Sequence, residues 1–127
     1  MGQRQALGWL LLLGLLAGQV WCLYVLVPGA GEPYFSGQDK VAHAVLFGLP
    51  CCLALLLRAR LVVLGILVHA LVSEPLQGLL TSTRTPDVWD TVADLAGIAV
   101  AVAVVLLARH RLERLVAPSG GTVGLAP

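Results

Sequence analysis

The chain has 127 residues, 58% of them hydrophobic and 12% charged, and carries a formal net charge of +1 with histidine counted neutral. With a mean hydropathy of +0.90, it is too apolar for a water-soluble core of this length, which excludes a soluble globular domain. Its eight Lys and Arg residues are dispersed, which excludes a basic nucleic-acid surface.

Four continuous apolar stretches, 6–27, 41–57, 61–80 and 88–108, each approach the roughly 20 residues that a helix needs to cross hydrocarbon. None alternates with period two. The expectation is an all-α integral membrane bundle of four transmembrane helices occupying 1–116, followed by a disordered cytoplasmic tail at 117–127; a barrel is not expected. The first stretch follows the short basic "MGQRQ" and resembles a secretory signal. It continues through "VWCLYVLV", well beyond signal length, and is read as a retained helix. Cys22, Cys51 and Cys52 lack the spacing of a zinc site or a disulfide framework and are read as packing residues.

Arg4, Arg58, Arg60, Arg109, Arg111 and Arg114 fall on one side of the predicted spans, and only Lys40 and Arg84 on the other. The positive-inside rule then places both termini in the cytoplasm of a cell (plasma or inner) membrane, with the loops around 28–40 and 81–87 outside. The acidic residues take the opposite side. Glu32, Asp39, Glu74, Asp87, Asp90 and Asp94 face Lys40 and Arg84, a formal −4 at the outer layer. Trp9, Trp21 and Trp89 suit interfacial anchoring.

On the second helix, Asp39 and His43 are spaced i, i+4 and Lys40 and His43 i, i+3, so each pair can share a face. The third helix carries "SEPLQ", with Glu74 and Gln77 at i, i+3 and a kink expected at Pro75. Deeper in that helix, His69 is read as a neutral histidine bonded to a neighbouring helix. In the fourth stretch Asp87, Asp90, Asp94 and Gly97 form one helical stripe. Glu74 and Asp94 each lie roughly 9 Å below the boundary. An ionised carboxylate facing lipid is costly, so mutual contact inside the bundle is expected.

The order "DKVAH", then "EPLQ", then "TRTPDVWDTVADLAG" resembles the VanZ-like membrane proteins, a family named after a teicoplanin-resistance determinant. The resemblance spans about half the chain. It implies that Asp39, Lys40, His43, Glu74, Gln77, Arg84, Asp87, Asp90, Asp94 and Gly97 fill the family's motif positions. It also implies a four-helix membrane domain with an accessory role in the cell envelope, bearing on glycopeptide susceptibility, with no defined biochemical activity attached.

Several readings of the polar residues stand side by side. One is a satisfied network that fixes helix packing. Against it, two cations and one imidazole cannot neutralise five closely placed carboxylates, which points to an external partner. That partner is a divalent cation held by Glu74, Asp90 and Asp94, with His43 adding a nitrogen, or a ligand: a membrane lipid, a lipid-linked envelope precursor or a glycopeptide, with Arg84 gripping a phosphate or carboxylate. The alternative is a metal-assisted enzyme acting on lipid phosphate or head groups, with His43 as the catalytic candidate. A transporter lacks polar lining in the inner half of the bundle.

Overall fold

A computed structural model describes residues 2–26, 34–80 and 87–116. The four apolar stretches are four α-helices: α1 Gln3–Tyr24, α2 Gln38–Leu56, α3 Arg60–Leu80 and α4 Val88–Val116. All four are long and apolar enough to cross a membrane, and no strand occurs among the described residues. Arg84 and 117–127 lie outside the described residues.

The helix ends differ from the expected boundaries for local reasons. α1 begins three residues early, at Gln3, and closes at Tyr24, where the amides of Val25 and Leu26 both donate to the Trp21 carbonyl. α2 begins at Gln38 because Gly37 turns the chain in with a φ of 82°, a left-handed conformation that glycine takes without strain. That earlier start brings Asp39 and Lys40 into the first helical turn. α4 runs on to Val116, since "RHRLERLV" contains good helix formers and no breaker. Its 29 residues span about 43 Å at 1.5 Å per residue, more than the roughly 30 Å of hydrocarbon. α3 is a single helix through Pro75.

The helices run up and down alternately. At one end, the Tyr24 hydroxyl meets His69 Nε2 at 2.8 Å, Gln77 donates to the Leu23 carbonyl at 3.0 Å, and Lys40 reaches Asp90 at 2.6 Å. This polar end therefore gathers the end of α1, the start of α2, the end of α3 and the start of α4. At the other end, Gly8 sits against Leu57 and Arg109 donates to the Leu55 carbonyl at 2.8 Å.

α2 and α4 make the most extensive helix contact. Lipid is as apolar as leucine, so burial gives little drive for helices to associate in a membrane, and small residues that let backbones approach carry the packing. Here they are Ala44 and Gly48 on α2 and Gly97 and Ala101 on α4. A Cβ on Gly97 would fall 2.8 Å from the Ala44 Cα and overlap its carbonyl, and one on Gly48 would fall 3.0 Å from the Gly97 carbonyl oxygen. Phe47, Cys51, Ala54, Ile66, Ala70 and Ile98 continue the buried core. The outward faces carry exposed leucines and valines such as Leu13, Leu64, Val100 and Leu107, the exterior that a lipid-facing bundle requires.

Candidate functional site

The close α2–α4 crossing lays the start of α2 beside the aspartate stripe of α4. Lys40 is the hub. Its ammonium donates to Asp87 Oδ2 and Asp90 Oδ1, each at 2.6 Å, and to Asp39 Oδ2 at 2.9 Å. Asp39, expected to share an inward face with His43, instead lies exposed at the rim and bonds sideways to Lys40, because the first turn of α2 projects past the packed part of the bundle.

One turn further in, His43 is buried, and its Nδ1 lies 2.9 Å from Asp94 Oδ1. Asp94 is fully buried, and its other oxygen accepts the Ser73 hydroxyl at 3.0 Å. An ionised carboxylate is an acceptor only, so it places the imidazole proton on Nδ1. Nε2 then faces Asp90 Oδ2 at 3.6 Å, too far for a hydrogen bond.

Glu74 closes the cluster from α3. Its Oε2 accepts the Asp87 backbone amide at 2.8 Å, while Oε1 is buried with no hydrogen-bond partner. Asp87 caps α4, accepting the Trp89 amide at 2.9 Å, as expected for a carboxylate at a helix N-terminus. Gln77, a candidate ligand-binding residue from its spacing, donates to the Leu23 carbonyl and so ties α3 to the last turn of α1. His69 bonds Tyr24 of α1, and its ring lies tilted by 46° against Phe47 with centroids 5.3 Å apart.

Ligand atoms of His43, Glu74 and Asp90 all lie within 4.8 Å of one another. His43 Nε2 and Asp90 Oδ2 are 3.6 Å apart, and an imidazole nitrogen with two carboxylates is a donor set that would suit a divalent cation such as zinc or manganese. Asp94, expected from its spacing to be a ligand, has both oxygens engaged and stands behind the imidazole, the position of a carboxylate that orients a metal-bound histidine. The cluster is packed rather than open: His43, Ser73, Glu74, Asp90 and Asp94 are buried, and Lys40, Asp39 and Asp87 form its accessible rim.

Ser73 and the Asp87 amide were not among the candidate residues. A serine beside Glu74 in an otherwise apolar turn was the available signal for the first; a backbone amide leaves no trace in side-chain spacing.

Outside the spanning helices, the Asp87 carboxyl is held below its ordinary value of 3.8, first by the Lys40 hydrogen bond and then by the Trp89 amide. A group with a lowered folded-state pKa stabilises the fold above its unfolded value and withdraws that stability as pH falls through the folded one. Thermal unfolding in detergent is therefore expected to be flat from pH 7 to about 5 on Asp87's account and to fall below about pH 4. Asp87→Asn lowers the neutral-pH midpoint and flattens the acid limb; an unchanged acid limb counts against this linkage.

Fold and site together define a four-helix, membrane-type bundle with a buried histidine-carboxylate cluster at one end. No family model, curated protein or solved structure matches the chain.

Proposed function

We propose that the protein is a VanZ-like accessory protein of the cell envelope. In this reading it holds a divalent cation in the His43, Glu74 and Asp90 cluster and uses it, with the Lys40 rim, to bind the phosphate of a lipid-linked envelope ligand. The observation that supports it most is the buried Glu74 Oε1, which has no hydrogen-bond partner, in a cluster with five carboxylates around one ammonium and one imidazole. A cation would satisfy Glu74 Oε1, and it would offer a phosphate a positive partner in a region that otherwise repels it.

The polar end faces outward in this proposal, on the strength of the arginine bias toward the opposite end. Glycopeptide susceptibility then changes because the protein shields or alters lipid-linked groups at the surface. The Asp94-held imidazole also favours a second reading, cleavage of a lipid phosphate, in which His43, Glu74 and Asp90 would hold a cation that would supply Lewis-acid activation.

Native mass spectrometry of the full chain, purified in detergent and incubated with a polyprenyl phosphate and Mn²⁺ or Zn²⁺, tests the reading. A lipid adduct is expected that disappears with EDTA and in Glu74→Gln, and release of inorganic phosphate in the same sample would identify the enzyme. A lipid adduct that survives EDTA would sink the cation-mediated reading.

A further inference from the structure

The end of the bundle opposite the cluster holds a separate feature. A cavity of about 220 Å³ lies at the α2–α3 turn, lined by Arg58, Arg60 and Arg109 over a floor that includes Ala54, Ala59 and Val63. No carboxylate lines it among the described residues. Three arginines bordering one small cavity bring like charges together there and favour an anion between them.

The turn itself is costly in a way that points to Arg58. α2 ends with the Ala59 amide donating to the Ala54 carbonyl at 2.9 Å and the Arg58 amide to the Leu55 carbonyl at 3.1 Å. That is the bonding of a helix C-terminus closed by a left-handed residue, a position glycine normally fills. Arg58 occupies it with a φ of 57°, a conformation that disfavours any residue with a Cβ. A glycine would serve the turn better, so the arginine's contribution is its side chain, which lines the cavity.

α3 then starts at Arg60, preceded by Ala59, which has no side-chain acceptor to cap the first-turn amides. The Arg60 amide donates instead to the Arg58 carbonyl at 3.0 Å and the Val63 amide to the Ala59 carbonyl at 3.1 Å, which leaves the arginine side chains as the partners for an anion. Arg109 spends one N–H on the Leu55 carbonyl, and a guanidinium has five.

We propose that this cavity binds a phosphate group, supplied by the headgroup of an anionic membrane lipid. Its volume is below the roughly 300–1,000 Å³ of small-molecule clefts, which suits a phosphate and not a larger ligand. The source follows from what borders the cavity: Leu56 and Leu61 are 58% and 83% exposed and sit where two membrane-length helices end, so a lipid's chains have an apolar surface beside its phosphate. The site is independent of the cluster at the polar end and needs no metal.

Full-length protein in detergent, titrated with phosphatidylglycerol or phosphatidylcholine, tests this by native mass spectrometry. Wild type is expected to hold phosphatidylglycerol at least tenfold more tightly than phosphatidylcholine. Arg109→Gln and Arg58→Gly are each expected to lose about tenfold of that affinity, the scale of one charge-assisted hydrogen bond. Arg58→Gly is the variant that separates binding from folding, since it relieves the turn and leaves the melting temperature unchanged or raised while affinity falls. Equal affinity for the two lipids, or unchanged affinity in Arg58→Gly, overturns the proposal. Stabilisation by inorganic phosphate with no preference between the lipids overturns the lipid source.

Discussion

Gly97→Ala is expected to destabilise the bundle by about 3 kcal/mol, at the upper end of what overpacking costs. The reason is that the added methyl meets backbone, namely the Ala44 carbonyl carbon at 2.7 Å and Cα at 2.8 Å, which cannot rotate away as a side chain can. α2 and α4 must separate. Gly97 lies three residues after Asp94 and Ala44 one residue after His43, so a shift of about 1 Å there stretches the 2.9 Å His43–Asp94 contact past bonding distance. The same substitution at Gly65, where a Cβ would have nothing within 4 Å, removes only glycine's helix penalty and is expected to gain up to about 1 kcal/mol. Thermal unfolding of the two variants in the same detergent makes the comparison. Equal stability would mean that the helices do not cross this closely.

This crossing also explains what was legible in the sequence. The stripe of Asp87, Asp90, Asp94 and Gly97 follows from helical period alone, and all but Asp87, which caps the helix, are buried. His43 and Phe47 follow from the same rule and are buried, and Cys51, read as a packing residue, is buried too. What the period cannot give is how far α2 is rotated and slid against α4, because that is decided by where Gly48 and Gly97 touch. Hence Asp39, in register with His43, stays at the rim, and Lys40 rather than His43 gathers the aspartates. Ser73 and the Asp87 amide were missed for a related reason. Each becomes a partner only when α3 is docked, and neither carries a charge that demands one.

Asp94→Asn and Glu74→Gln are expected to change cation response in the same direction and stability without cation in opposite directions. Asp94 accepts from His43 and Ser73 in a fully buried position. Asparagine keeps one acceptor but turns an amide NH₂ toward one of those partners. It also removes the charge that holds the Nδ1 proton, and breaking one partner of a buried pair costs about 3–5 kcal/mol. Without that orienting carboxylate, cation affinity should fall roughly 10–100-fold. Glu74→Gln is different, because the carboxylate oxygen it alters has no partner to lose. The glutamine oxygen can still accept the Asp87 amide, and its NH₂ can donate toward Asp90 or the His43 Nε2. It removes one negative charge from a crowded set, so stability in EDTA should rise. The gain that a cation at 100 times its Kd confers, about 2.7 kcal/mol, should vanish. Melting temperatures of wild type and both variants in EDTA, Mn²⁺ and Zn²⁺ separate these effects. If Glu74→Gln loses stability in EDTA and wild type ignores both cations, the cluster is a packing network whose charges are settled by protons, and the cation-mediated function falls with it.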